Sequence, residues 1–119
     1  MDIQKAVSNL KQEPGFAENV GMLLVHNGVV RATSRTDDRA VTGVEVTPDH
    51  ARIQTLCAEF EARPGIFRVH AEAASGRLGL GDDLLLLIVA GDVRENVVPA
   101  LAELLDRVKA EAVSKTELF

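Results

Sequence analysis

Seven apolar residues stand in succession at Leu84–Ala90, and this run constrains the fold more than any other stretch of the 119-residue chain. A strand with one wet face alternates apolar and polar side chains, so an unbroken apolar run must be covered on both faces. In so small a chain, helices can cover one face of a sheet. The other face then needs more of the chain or a second copy of it, and the run predicts a homodimer. A chain of this length can bury roughly two-thirds of the surface its unfolded form exposes, enough for a core without disulfide or metal staples. Hydrophobic residues make up 46% and charged residues 26%, the proportions of one globular domain spanning 1–119.

Residues 2–12 predict a short helix, with Ile3, Ala6, Val7 and Leu10 at helical spacing. Pro14-Gly15 stops it. Val20 to Val30 reads as a strand, within which Asn27-Gly28 marks either a hairpin turn or a bulge with close backbone approach. Residues 32–39, ATSRTDDR, hold almost nothing apolar and predict an exposed, mobile loop. A strand follows over Val41–Val46. Thr47-Pro48-Asp49 reads as a helix start, with Thr47 as N-cap and proline at the first helical position. That helix buries Ile53, Leu56, Cys57 and Phe60 on one face. Residues 66–74 form a third strand and 75–82 a turn region leading into the apolar run.

The last helix carries Val97, Val98, Leu101, Leu104, Leu105, Val108 and Ala112 on one stripe. Capped by Asn96, it would hold Pro99 harmlessly in its first turn. Capped by Asp92 with Glu95 as partner, it would place Pro99 where an amide is needed. A local distortion near Arg94 is expected. The order of elements says α+β or α/β, without repeats or linkers.

Several functions are disfavoured. A formal charge of −5 argues against a phosphate-backbone binder. Four phenylalanines, with no tryptophan or tyrosine, argue against base-stacking platforms, so nucleic acid is not an expected partner. Nor is a membrane: no apolar run approaches the ~20 residues of a spanning helix, and the N-terminus lacks the apolar region of a secretory signal. One cysteine, Cys57, permits no intrachain disulfide, which suits a reducing cytoplasm. His26, His50 and His70 show no metal spacing, so no metal site is expected. The glycines of 76–81 fit neither dinucleotide nor Walker patterns and lead into a strand, which makes them a turn. Three cations stand beside apolar elements instead: Arg31 at the end of the first strand, Arg94 after the apolar run, and Lys109 on the last helix.

With these residues in place, the chain resembles the large, catalytic subunit of molybdopterin synthase over about residues 20–117, behind an N-terminal helix and loop at 1–19. His26-Asn27-Gly28-Val29-Val30-Arg31 is similar to the family's F-x-G-x-V-R. Glu45-x-x-Pro48 follows, and then Gly76-Arg77-Leu78 through Gly81-Asp82, similar to G-x-L-x-x-G-D. Gly91-Asp92-Val93-Arg94 stands where the family has S-x-H-R, and Leu104 to Lys109 fits the helix with the family's essential lysine. The sequence departs at Val93, where the family has histidine, at His26, where it has phenylalanine, and at Ala73-Ala74, where it has His-Arg. The family's second C-terminal lysine aligns with Thr116, and Lys115 stands one place early.

The resemblance implies an α+β fold of the α/β-hammerhead type, with a mainly antiparallel sheet, helices packed on it, and a dimer. It implies a partner: a small ubiquitin-like sulfur carrier with a C-terminal Gly-Gly thiocarboxylate, two copies of which flank the dimer. It also implies a sulfurtransferase reaction of molybdenum cofactor biosynthesis, in which sulfur passes to cyclic pyranopterin monophosphate as substrate, with no resident cofactor. Lys109 and Lys115 would be catalytic, and Arg31, Arg94, His26 and Gly28 would bind substrate. Arginine offers a planar fork for phosphate, and a lysine crowded by cations is suited to nucleophilic or acid–base work. On one helix, Arg94 and Lys109 would lie about 22 Å apart, so a shared pocket would draw them from different subunits. The alternative is a catalytically degenerate relative, a dimeric anion- or pterin-binding or regulatory module.

Overall fold

The computed structural model describes residues 1–119. In chain order the elements are α1 (Ile3–Lys11), α2 (Phe16–Asn19), β1 (Met22–Val29), β2 (Gly43–Pro48), α3 (His50–Glu61), β3 (Ile66–Ala73), β4 (Gly76–Leu78), β5 (Asp83–Gly91), α4 (Arg94–Glu111) and β6 (Val113–Leu118). They form two three-stranded sheets, ordered β1-β5-β3 and β4-β2-β6, and every strand pair is antiparallel. The architecture is α+β, with helices packed on antiparallel sheet.

The apolar run is the central strand of the first sheet, and Leu86 to Ala90 are fully buried. Leu85, Leu87 and Val89 point into the main core with Ile53, Leu56 and Phe60 of α3 and Val97, Leu104 and Val108 of α4. Leu86 and Ile88 point the other way, against Ala6 and Leu10 of α1. Both faces are thus covered within one chain. Of the two covers the sequence allows for the second face, more of the chain or a second copy, the amphipathic N-terminal helix supplies the first.

Other boundaries move for identifiable reasons. The expected strand 41–46 runs instead to Pro48, because β6 pairs with it from Gly43↔Leu118 to Pro48↔Val113. Thr47 and Pro48 therefore belong to the ladder, and Asp49 is the N-cap of α3, its Oδ1 accepting from the Arg52 amide at 3.0 Å. Neither expected cap starts α4. Val93 is the N-cap residue but offers no side-chain acceptor. Asp92 substitutes, its Oδ1 accepting from the Val93 amide at 2.6 Å and the Asn96 side-chain amide at 2.8 Å. Those hydrogen bonds, Asn96 before Val93, hold the Asp92 carboxyl below the usual carboxylate range. Pro99 lies inside α4, where its missing N–H leaves the Glu95 carbonyl without a helical donor.

The loop expected to be mobile is hydrogen-bonded within itself. Thr33 and Ala40 form a bridge, the Ser34 amide donates to the Arg39 carbonyl at 2.7 Å, and the Val41 amide to that of Ala32 at 2.8 Å. Asp38 sits in the left-handed region at φ 58°, which aspartate tolerates better than most residues. No helix is long and apolar enough to cross a membrane.

Candidate functional site

The two sheets meet at a cleft roofed by the C-terminal end of α4. From the first sheet come His26 and Gly28 of β1 and Leu84 and Leu85 of β5; from the second come Val44 of β2 and Lys115 and Glu117 of β6. Arg31, Thr33 and Arg35 enter from the loop after β1, and Lys109 from α4. The cavity measures about 240 Å³. A second lobe of about 300 Å³ shares Arg35, Leu84, Leu85, Lys109 and Lys115 with it and adds Val113.

Local sequence explains each position. Asn27-Gly28 makes no hairpin turn. It lies within β1, where the register with β5 shifts between Gly28 and Val29, a bulge of the kind glycine permits. A Cβ at Gly28 would stand 3.2 Å from His26 Nε2, so the glycine gives the imidazole its space. Beyond the bulge, the Gly79–Asp82 turn fastens the strand end that carries Arg31. The Gly81 amide donates to the Val30 carbonyl at 2.9 Å, and the Val30 amide to the Asp82 carbonyl at 3.0 Å. Gly81 adopts φ 81°, where a side chain would be strained. In β6, alternation turns Val113, Lys115 and Glu117 toward the cleft and Thr116 to the other face. Lys115 is the lysine that the strand presents.

The electrostatics are one-sided. Arg31, Arg35, Lys109 and Lys115 line the cavity with a single carboxylate, Glu117, and none of the four cations makes an ion pair. Glu117 accepts a hydrogen bond from Ser34 Oγ at 3.0 Å. Outside the cleft, five arginines are paired with carboxylates: Arg107 to Glu59 and Glu111, Arg52 to Glu111, Arg63 to Glu103, Arg68 to Glu13 and Arg94 to Glu95, while Arg39 and Arg77 are not. Burial, and then the Lys109 charge, lower the proton affinity of His26, which keeps its imidazole neutral at neutral pH. Unmatched cations around a concave, partly apolar site suit a ligand that carries an oxyanion.

Five of the six residues expected at the site, His26, Gly28, Arg31, Lys109 and Lys115, share this cleft. Arg94 does not. It stands at the opposite end of α4, beside Gly21 and Met22, with its side chain 82% exposed and Nε 3.3 Å from Glu95. Sequence reasoning missed Arg35, Thr33 and Glu117, whose only signal was proximity in sequence to Arg31 and Lys115. Cys57 is buried, and burial followed by the Glu61 charge pushes its thiol up to about 11, the state of an unreactive core cysteine. His70 bonds to Glu72 at 2.9 Å, and His50 opens α3 on the surface, so the three histidines stand apart.

Fold and cleft together define an α+β domain with a cation-lined pocket between two antiparallel sheets. The MoaE protein family model matches residues 1–111, and the chain belongs to the MoaE family. Molybdopterin synthase from Staphylococcus aureus superposes with a TM-score of 0.81 at 18% identity, covering 100% of this chain and 85% of that one. The molybdopterin cofactor biosynthesis protein E of Burkholderia multivorans gives 0.78 at 21% identity, covering 98% and 80%. A complex of subunits 1 and 2 of molybdopterin-converting factor from Helicobacter pylori gives 0.70 at 18%, covering 98% and 78%. A search of curated protein sequences finds no match.

Proposed function

We propose that this chain is the large subunit of a molybdopterin synthase, passing sulfur from a thiocarboxylated small carrier to cyclic pyranopterin monophosphate. Family membership supports the broader assignment to molybdenum cofactor biosynthesis. The observation that carries the finer reading is the convergence of Lys109, Lys115 and Arg31 on one cleft from three separate elements. The Helicobacter two-subunit complex supports a small-subunit partner. A homodimer working in the cytoplasm with two carriers belongs to the same reading.

In that reaction the carrier's thiocarboxylate sulfur bonds to a pterin side-chain carbon as a carbon–oxygen bond at that carbon breaks and the departing oxygen takes a proton, which leaves the carrier joined as a thioester. Water then adds to the acyl carbon, releasing the carrier as a carboxylic acid and leaving a thiol on the pterin. Each step moves protons, and Lys109 and Lys115, on the wall common to both lobes, are the groups to give and take them. Arg31 holds the substrate phosphate, with His26 and the open backbone at Gly28 beside it. Arg94 reaches a cleft only from a second protomer.

The test is sulfur transfer with a thiocarboxylated carrier and the cyclic precursor. Lys109→Ala should lower turnover by about 100-fold or more, the range for loss of a general acid–base group. Undiminished turnover would remove Lys109 from the mechanism. A second reading, a binding or regulatory module, is favoured by Val93: the position of the family's histidine holds an apolar, 48% exposed side chain at the start of α4. Restoration of molybdoenzyme activity in cells lacking their own large subunit would exclude that module.

A further inference from the structure

Arg35 is absent from the sequence reading of the site, yet it lines both lobes of the cleft beside Lys109 and Lys115 and makes no ion pair. The loop that carries it is tied down next door. Ser34 is 1% exposed, and its hydroxyl donates to Glu117 Oε1 at 3.0 Å and lies 3.0 Å from Thr36 Oγ1. Glu117 shares a strand face with Lys115, two residues away. The Ser34–Glu117 hydrogen bond therefore joins the loop bearing Arg35 to the strand bearing Lys115. A buried hydroxyl bonded to a carboxylate is costly to break, because the partners lose water as well as each other. The loop's own acids do not quench Arg35: Asp37 accepts from the Arg39 amide at 3.1 Å, and neither Asp37 nor Asp38 lines the cleft.

We infer that Arg35 is a ligand-binding residue of this cleft, gripping a phosphate-type oxyanion together with Lys109 and Lys115, and that the Ser34–Glu117 hydrogen bond positions it. The guanidinium contributes two parallel N–H donors, while the ammonium groups contribute charge without a fixed fork. Each protomer then holds two arginines in its own cleft, Arg31 and Arg35, independently of Arg94. The inference rests on the reading of the cleft as the site of a phosphate-bearing substrate, but its test does not require turnover.

Inorganic phosphate is the probe, followed by calorimetry against the whole protein. Arg35→Ala should weaken phosphate binding at least about ten-fold, the loss of a charge-assisted hydrogen bond, and Arg35→Lys should recover part of it. Arg77→Ala removes the same charge from a residue outside the cleft and should bind like wild type. Ser34→Ala should weaken binding when Arg35 is present and have no effect in the Arg35→Ala background, the coupling expected of a positioning contact. Wild-type binding in Arg35→Ala, or no phosphate binding by the wild type, would overturn the inference. An equal effect of Ser34→Ala in both backgrounds would overturn the positioning role. Arg35-dependent phosphate binding without sulfur transfer would leave this inference standing while the synthase reading fell. Undiminished sulfur transfer by Arg35→Ala would do the reverse.

Discussion

His26 shares the cleft wall with Lys109, and its titration bears on how the site responds to pH. Burial first, and the Lys109 charge second, depress its proton affinity below the ordinary 6.5. An anion in the cleft favours the imidazolium, so sulfate, whose charge is constant over this range, should bind more tightly as pH falls below 6.5. His26→Gln should flatten that dependence, and a sulfate titration at several pH values checks it. Without an anion the same shift works against the fold. The unfolded chain takes up the proton first, so the contribution of His26 to stability is present above 6.5 and is lost as pH falls below it. At this scale Lys109 and Arg31 were legible in the sequence because they fall on family motifs, whereas Lys115 stands one place off its motif and is brought to the cleft by the alternation of β6. The sequence was silent on Arg35, because nothing in ATSRTDDR says that Ser34 is the buried anchor of the loop.

Among the elements, α1 is the one whose role sequence alone understated. Its apolar spacing was plain, but a nine-residue helix does not announce which surface it will cover. Leu10 packs with Leu86 and Ile88, so Leu10→Ala should cost about 2–5 kcal/mol, the range for a buried leucine, read as a lower urea midpoint. The α3–α4 pair is clamped differently. Arg107 and Arg52 converge on Glu111 and hold its carboxyl down to about 2, hydrogen bonds to Arg107 contributing most. A depressed carboxyl stabilises the fold above its unfolded value of 4.5, and that contribution is lost as pH falls from there toward 2. Glu111→Gln should make stability less sensitive to acid over that window, as thermal unfolding at pH 7, 4.5 and 3 would show. The strand β6 was invisible as an element, since Val113–Leu118 carries little β signal and is a strand because β2 offers it an edge.

For the whole molecule, the distribution of function between protomers is the open prediction. Lys109 and Arg94 occupy opposite ends of α4, about 22 Å apart at the helical rise. If the active assembly is a dimer in which one protomer's Arg94 serves the other's cleft, mixing Lys109→Ala with Arg94→Ala protein should restore activity. Random pairing makes half the dimers mixed, each with one intact site, so about a quarter of wild-type turnover is expected. No recovery on mixing would confine each site to its own protomer. Phe60, fully buried in the core that supports α4, sets the stability side of the same question. Phe60→Ala should cost about 3–5 kcal/mol and lower the melting temperature without discriminating between the variants above.

What the amino-acid sequence determined by itself is whatever depends on periodicity and local backbone chemistry: a strand buried on both faces at Leu84–Ala90, amphipathic helices on either side, and a glycine-rich turn before that strand. Those are short-range properties, written in residues a few positions apart. What only the tertiary structure decided is which surfaces meet. It assigned α1 to the second face of β5, paired β6 with β2 so that Lys115 and not Thr116 faces the cleft, and brought Arg35 beside Lys109 through the anchor of Ser34 on Glu117. The reason is physical: each of these contacts joins residues far apart in the chain, and their energy exists only once the chain has folded.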